Sequence, residues 1–262
     1  MTKLAFYSRI LAKPPLFHAL PARPTTPAPK LYRGVDMHLQ LEQPAGGHLV
    51  RLVRLYVGLA LFGVSTALMV RSGLGLMAWS VLHEGLSRQT GLSIGLVTNL
   101  LGALVLLVWI PLGQRPGLGT ISNVLVIGTA TDLTLMLLPE IAALPTRTAF
   151  LLSGIALNGF ATAAYISAGY GPGPRDGLTM GLVKVTGLSI QRARLGVELV
   201  VLAGGWMLGG TVGVGTVLHA LAIGPLMQAG LAIFARKDRK NASRRPPECE
   251  AESGGDCPES PR

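Results

Sequence analysis

The chain has 262 residues, of which 49% are hydrophobic and only 14% charged, and its formal net charge is +10. Acids are too scarce between positions 55 and 234 for the surface of a soluble domain, so this part is predicted to lie in a lipid bilayer. The basic excess flanks the apolar part and forms no basic, aromatic-containing domain, which excludes nucleic acid as the expected partner. The acids in question are Glu84, Asp132, Glu140, Asp176 and Glu198.

Both ends of the chain have compositions typical of disorder. The range 1–50 is rich in proline and basic residues and lacks the apolar core of a signal peptide, and Met37 is an alternative start. The tail 236–262 begins basic and ends acidic, and Cys249 and Cys257 within it are expected to be free thiols. Because basic residues flank the first and last apolar segments, both termini are expected on the cytoplasmic side.

The apolar part repeats itself at a constant offset of 96 positions. The run Gly-Leu-Ser-Ile at 91–94 recurs at 187–190, and Ile-Gly at 127–128 recurs at 223–224. The copies are too long and too apolar for the units of a soluble solenoid. They predict a duplicated membrane bundle, with a first repeat at 51–138 and a second repeat at 139–235.

Six apolar segments approach the roughly 20 residues with which a helix crosses about 30 Å of hydrocarbon. In chain order they lie near 52–70, 92–112, 118–138, 148–168, 193–209 and 213–235. Each repeat also has a shorter helix that contains several polar residues, near 76–90 and 174–186. Its charged side chains cannot all face lipid. The predicted fold is therefore an all-α polytopic membrane helix bundle with six long spans and two short helices. The short helices are either re-entrant or broken half-helices, or two further short spans.

The orientation of the repeats depends on these short helices. If each repeat crosses the membrane three times, the second is inverted relative to the first, and if each crosses four times, the two are parallel. The positive charges of the short loops fit both arrangements equally. Equivalent loops differ in charge, as opposite orientations require, and this difference favours inversion.

The glycine-containing turn before each short helix is the first candidate site. Backbone that is not helical at membrane depth is tolerated beside a cavity, and the helix that follows aims unpaired N–H groups and a positive dipole into it. An anionic small molecule is the ligand that such a turn favours. The alternative is a tight helix-to-helix turn in which an acid only complements the helix dipole. The predicted substrate-binding residues are Gly73, Gly75, Trp79, Gly171, Gly173, Arg175 and Asp176.

Glu198 is the second candidate, because an acid inside an apolar span must pair, take up a proton or face water. Together with Asp176 it is predicted to couple transport to a proton or ion. A purely structural pair with Arg194, one helical turn earlier, is the alternative. Polar residues at equivalent positions late in each repeat are expected to join helices by hydrogen bonds; they are Asp132, Gln228, Asn123 and His219.

Motifs for enzymes and metals are missing from the sequence. His83-Glu84 has no second histidine at the spacing of a zinc protease helix, and neither a phosphate-binding loop nor a nucleophile elbow occurs. We therefore expect a non-enzymatic protein without a metal or a cofactor.

Three motifs resemble the bacterial YczE-type integral membrane proteins, which are loosely akin to the YitT family. They are the run 91–95, the Trp-Ile-Pro-Leu-Gly segment that begins at Trp109, and the Gly-Pro-Gly-Pro-Arg-Asp-Gly-Leu turn at 171–178. The resemblance implies a polytopic protein of the bacterial cytoplasmic membrane. Family members typically show Pro-Trp-Asp before a Val-Leu-His-Glu-Gly-Leu-Ser stretch. Here that stretch is intact at 81–87, but Ala-Trp-Ser at 78–80 replaces the triplet, so a symmetrical pair of aspartates reduces to Asp176.

The leading hypothesis from the sequence is a secondary transporter, or permease, that rocks one repeat against the other around a midplane cavity. Its partners would be the bilayer and a small molecule, for which the glycine turns favour an anion, and a homo-oligomer is compatible with the sequence. The alternative is a membrane scaffold or regulator that supports a biosynthetic or sensory partner through its tails.

Overall fold

The computed structural model describes residues 47–114 and 116–242, and this part of the chain contains eight helices and no strand. The predicted all-α class is confirmed. In chain order the helices are α1 (His48–Ser72), α2 (Ala78–Thr90), α3 (Ile94–Trp109), α4 (Leu118–Leu137), α5 (Leu144–Ser167), α6 (Pro174–Thr186), α7 (Ile190–Met207) and α8 (Val214–Ala242).

The short helices α2 and α6 begin and end where local chemistry requires. Gly91 and Gly187 follow them with φ of 72° and 70°, a left-handed conformation that glycine adopts without strain. Pro174 begins α6 at a position where the missing N–H costs nothing. Serines then start the next helices, since Ser93 accepts a hydrogen bond from Leu96 N and so caps α3. The two short helices therefore lie close to their predicted ranges of 76–90 and 174–186.

The count of six long spans is corrected by the structure. Four helices of the described chain are long and apolar enough to cross a membrane: α1, α4, α5 and the part of α8 at Val214–Asp238. The predicted span 92–112 is the 16-residue helix α3, which starts only after Ser93 and ends before Pro111, where a helical N–H is lacking. The pair α2 and α3 passes the same test only jointly, with a bend of 114°. The predicted span 193–209 is the 18-residue α7, whose first turns carry charged side chains.

The terminal ranges overlap the helices at their inner ends. Helix α1 begins at His48, inside the range 1–50, and α8 continues to Ala242, beyond position 236. The remainder of the predicted leader and tail, including Met37 and both cysteines, lies outside the described residues.

Equivalent helices start at a constant offset of 96 positions. The starts of α1 and α5 are 48 and 144, those of α2 and α6 are 78 and 174, those of α3 and α7 are 94 and 190, and those of α4 and α8 are 118 and 214. The glycines with positive φ follow the same offset: 73 and 169, 75 and 171, 91 and 187, and 113 and 209.

The first helices of the two predicted repeats lie antiparallel. Arg51, near the start of α1, donates through Nε to the carbonyl oxygen of Ala168 at the end of α5, at 3.1 Å. Arg147, near the start of α5, donates through Nε to the carbonyl oxygen of Ser72 at the end of α1, at 2.7 Å. Since each start contacts the opposite end, α1 and α5 run in opposite directions.

Helix α4 runs parallel to α1. Its N-terminus lies at the end of α5, where Gly119 N donates to the Tyr170 carbonyl oxygen at 2.9 Å. Its C-terminus lies at the end of α1, where Arg71 Nη2 donates to the Leu135 carbonyl oxygen at 2.7 Å.

Helix α8 runs antiparallel to α1. Near its start, Gly215 N donates to the Leu74 carbonyl oxygen at 2.9 Å, just after the end of α1. Farther along, Asp238 pairs with Arg54 near the start of α1, at 2.8 Å. Two of the four candidate spans therefore run in each direction, and the equivalent spans of the two predicted repeats are opposed.

Helices α1 and α5 form the centre of the bundle. Half or more of each candidate span is buried within the protein, 50% for α1 and 56% for α5, against 11% for α8. Their backbones approach closely at two glycines. A Cβ at Gly58 would touch Tyr165, and a Cβ at Gly154 would touch Met69. Small residues permit such close contact between membrane helices, where dispersion rather than the hydrophobic effect stabilises the interface.

Candidate functional site

A cavity of about 80 Å³ lies between the two short helices and the centre of the bundle. Six of the eight helices contribute to it, and the turn before α6 supplies Gly173. Its walls are mainly apolar and aromatic, with hydroxyl, imidazole and amide groups among them. The lining residues are Phe62, Thr66, Met77, Trp79, Ser80, His83, Thr98, Gly102, Val105, Asn123, Val124, Ile127, Tyr165, Gly173, Pro174 and Arg175.

Arg175 supplies the permanent positive charge of this cavity. Its guanidinium carbon lies 5.4 Å from the centroid of the Phe62 ring, and its Nη1 lies 3.7 Å from Met77 Sδ. None of the ion pairs among the described residues includes Arg175. A guanidinium held against an aromatic face and a thioether, without a carboxylate in direct contact, remains available to an anion.

The wall formed by α2 presents polar groups to the cavity. Ser80 is buried, and His83 Nδ1 lies 3.0 Å from the Thr98 hydroxyl of α3. Trp79 lies on the same helix, with its ring centroid 6.4 Å from that of His83. The predicted residue Trp79 therefore lines the cavity, together with hydrogen-bonding groups that the sequence did not identify.

A smaller cavity of about 10 Å³ holds the predicted coupling residues. Asp176 and Glu198 both line it, next to Arg194, and Trp79 and Arg175 lie between it and the larger cavity. Arg194 Nε and Glu198 Oε1 are 3.6 Å apart, and both side chains are about half exposed. The predicted Arg194–Glu198 pair is present, but a pair so exposed contributes little to stability.

Three of the predicted glycines do not line either cavity. Gly75 and Gly171 have φ of 120° and 116° and lie against the starts of α8 and α4, where a Cβ would touch Thr216 and Thr120 respectively. Gly73 ends α1, and its carbonyl oxygen accepts from Arg147 at 3.0 Å. The turns position the cavity, and of their glycines only Gly173 contacts it.

Each short helix packs on the third helix of the other predicted repeat. The Trp109 indole of α3 lies against Gly177 of α6, and its Nε1 donates to the Pro174 carbonyl oxygen at 2.9 Å. At the equivalent place, Gly205 of α7 lies against Val81 and Leu82 of α2. The short helices that carry Trp79 and Arg175 are thus held by partners from the other half of the chain.

Glu84 joins α2 to the loop before α8 by hydrogen bonds. Its carboxylate accepts from Thr211 N at 2.6 Å and from Arg88 Nη2 at 2.7 Å, and only 8% of the residue is exposed. Arg88 also donates to the Gly209 carbonyl oxygen at 2.7 Å. Since its acceptors are occupied, Glu84 has a structural role at this position.

Polar residues inside the bundle join helices, as the sequence predicted for some of them. Asp132 of α4 accepts from Ser93 Oγ at 2.5 Å and from Gly95 N at 2.7 Å. Asn158 of α5, which the sequence did not single out, donates to Ser65 Oγ at 2.9 Å and lies 3.3 Å from His219 Nε2. Within the described part of the chain, no three histidine, cysteine, aspartate or glutamate residues are grouped as metal ligands.

Comparison of the sequence with known proteins identifies its family. Residues 49–230 match the model of a family of unknown function, DUF6198. The chain belongs to this family. An uncharacterized protein of Haemophilus influenzae is 43% identical over 182 residues, 70% of this chain and 84% of that protein. The uncharacterized membrane protein YczE of Bacillus subtilis is 33% identical over 172 residues, 65% of this chain and 79% of YczE.

A further relative, YyaS of Bacillus subtilis, is 26% identical over 184 residues, 69% of this chain and 92% of YyaS. No solved structure matches the chain. The resemblance to YczE-type proteins is therefore confirmed, and with the apolar helices it identifies a helical membrane protein.

The motifs of the YczE-type resemblance have defined places in the site. In the stretch 81–87, His83 lines the cavity, Glu84 fastens the loop, and Gly85 lies against Leu208. In the turn 171–178, Arg175 enters the cavity. In the segment that begins at Trp109, the indole holds the start of α6. The stretch 81–87 and the turn 171–178 thus meet at one cavity although they are far apart in the chain, and Trp109 packs beside it on the start of α6.

Proposed function

We propose that the protein is a secondary transporter of a small anion in the bacterial cytoplasmic membrane, with both termini on the cytoplasmic side and no enzymatic activity. The observation that carries the proposal is the Arg175 guanidinium, which belongs to no ion pair among the described residues and lies in a cavity between the two short helices. A positive charge inside a membrane bundle is costly to maintain, and such charges commonly mark a substrate pathway.

The proposal includes an inverted duplication with three crossings in each half. Its support is the constant offset of helix starts and the opposed directions of α1 and α5 and of α4 and α8. A parallel duplication would have placed equivalent helices in the same direction. The bent pair α2 and α3, and its counterpart α6 and α7, then make the middle crossing of each half, as broken helices do in many transporters.

The two halves differ in one respect that suits alternating access. Helix α3 packs along α4, where a Cβ at Gly95 would touch Gly128 and Asp132. Within the described chain α7 does not pack along α8 in the same way, and Gly196 and Gly224 have open space where a Cβ would lie. In transport, the halves would exchange these arrangements, so that α7 closes on α8 while α3 leaves α4.

Asp176 and Glu198 are the proposed coupling residues. They line the small cavity beside Arg175, and Glu198 shares its pair with Arg194 at 3.6 Å. A proton or cation taken up by either carboxylate would change the field at Arg175 and hence its attraction for an anion.

Reconstituted vesicles test the proposal directly. Purified protein is assayed for uptake of radiolabelled lactate, benzoate, phosphate, sulfate and alanine under an imposed proton or sodium gradient, with protein-free vesicles as the background. We expect uptake of at least one of the four anions above that background, and alanine is the comparison without net charge. Arg175→Ala and Glu198→Gln should abolish this uptake at unchanged protein amount. Arg192→Gln, on the exposed face of α7, should leave it unchanged.

The alternative of a scaffold or regulator predicts the opposite pattern. Neither cavity substitution would then affect the biological readout of a partner system in cells, whereas removal of the segment 243–262 would abolish it. Absence of uptake together with this pattern would overturn the transporter proposal.

A further inference from the structure

We propose that the substrate of the Arg175 cavity is a compact organic monocarboxylate with an apolar or aromatic body. The inference rests on the proposed function for the site and adds the chemical class of its ligand. Inorganic dianions and zwitterionic amino acids are the classes that it rejects.

The electrostatics of the cavity favour a ligand with one negative charge. Arg175 is the cavity residue that carries a fixed positive charge, and the carboxylates of Asp176 and Glu198 lie near enough to act on it. These carboxylates lie beyond Arg175, in the smaller cavity. A dianion at the guanidinium would face their repulsion without a second cation to offset it. A monocarboxylate matches the fork of one guanidinium by two parallel hydrogen bonds.

The walls of the cavity fit an apolar body. Phe62, Met77, Val105, Val124 and Ile127 are almost fully buried, and all five line the cavity. Phosphate or sulfate would leave these walls without partners, and the polar oxygens of such an ion would lose water without compensation. An aromatic ring or short alkyl chain would instead be favoured by their burial.

The size of the cavity restricts the body further. Its volume of about 80 Å³ lies well below the roughly 300–1,000 Å³ typical of sites for drug-sized ligands. Ser80, on the α2 side of the cavity, has a hydroxyl that can bind a substituent of the ligand. No carboxylate lines this cavity among the described residues, so an ammonium group of an amino acid would find no charged partner there.

Calorimetric titration of the detergent-solubilised full chain tests the class without any variant. The probes are benzoate, its neutral isostere benzamide, inorganic phosphate and alanine. We expect benzoate to bind at least tenfold more tightly than each of the other three. Stronger binding of phosphate or alanine than of benzoate, equal binding of benzamide, or no binding of benzoate would overturn the inference.

Variants then locate the binding. Arg175→Gln should weaken benzoate binding at least tenfold, and Arg175→Lys should weaken it less, since it keeps the charge but loses the fork. Arg192→Gln is the matched control on an exposed arginine and should bind as the unmodified chain does. Circular dichroism and size-exclusion profiles verify that each variant is folded. A folded Arg175→Gln protein with unchanged affinity would overturn the assignment.

The outcomes separate this inference from the proposed function. Benzoate binding without uptake of any solute into vesicles would sustain the ligand class and contradict the transporter. Uptake of phosphate, with no benzoate binding, would sustain the anion transporter and contradict the ligand class.

Discussion

The indole of Trp109 occupies the space that a Cβ at Gly177 would need. We expect Gly177→Ala to lower the free energy of unfolding by about 1–3 kcal/mol, the usual cost of overpacking a rigid contact. Gly196→Ala is the control, because the space around Gly196 is open and alanine stabilises a helix interior by about 0.5–1 kcal/mol relative to glycine. Denaturation in detergent, followed by circular dichroism, measures both. Equal effects of the two substitutions would show that this contact does not determine how α6 is held.

Some residues of the site could be predicted from the sequence because their chemistry is costly in a membrane. Arg175, Asp176 and Glu198 stand out as charges within an apolar chain, and all three line one of the two cavities. Phe62 and Tyr165 could not be predicted, since an aromatic residue in an apolar span gives no sign of which neighbour it faces. Their place depends on the packing of α1 against α5.

Two arginines join α1 and α5, because each donates hydrogen bonds to carbonyl oxygens at the C-terminal end of the other helix. Arg147 donates to the carbonyl oxygens of Ser72 and Gly73 at 2.7 and 3.0 Å, and Arg51 to those of Ala168 and Gly169 at 3.1 and 3.4 Å. Such bonds satisfy carbonyl groups that a helix end leaves free, and a cation there is favoured by the helix dipole.

We therefore expect Arg147→Gln to destabilise the protein by about 1–3 kcal/mol, the range for hydrogen bonds to charged groups. Arg51→Gln should have a smaller effect because its bonds are longer. Arg192→Gln should change nothing measurable. The midpoint of thermal unfolding in detergent ranks the three variants. If Arg192→Gln destabilised the protein as much as Arg147→Gln, the contact between the helix ends would not be the cause.

The elements differ in how well the sequence specified them. The short helices were predicted nearly to the residue because glycines and Pro174 define their ends chemically. The span count was wrong because hydropathy continues through Ser93 and Pro111, whereas the helix does not. Apolar composition shows what can lie in lipid, but capping and proline decide where a helix stops.

The opposed directions of the four candidate spans predict where their ends lie. In a chain with Cys249→Ser and Cys257→Ser, single cysteines at His48 and Lys237 should react with an impermeant thiol reagent from the same side of the membrane. A cysteine at Glu140, which is exposed beyond the end of α4, should react from the opposite side. Labelling in intact cells and in inverted vesicles distinguishes the sides. Reaction of Glu140→Cys from the same side as His48→Cys would contradict the arrangement.

The offset of 96 positions between helix starts could be predicted from the sequence, because matching glycines recur at that offset. The difference between the halves could not, since equivalent positions adopt different packing. Ser93 and Asp132 are in contact at 2.5 Å, while their equivalents Ser189 and Gln228 make no such hydrogen bond within the described chain. The proposed alternating access requires a second arrangement of similar energy, in which the two halves exchange these contacts.

Disulfide cross-linking of these two position pairs in the reconstituted protein tests the central claim most directly. In the cysteine-free background, Ser93→Cys with Asp132→Cys and Ser189→Cys with Gln228→Cys should each form a cross-link, and each cross-link should stop uptake. In a chain with all four cysteines, a single molecule should hold one cross-link or the other but not both. Both cross-links in one molecule, or unimpaired uptake with either, would contradict an exchange of conformations between the halves.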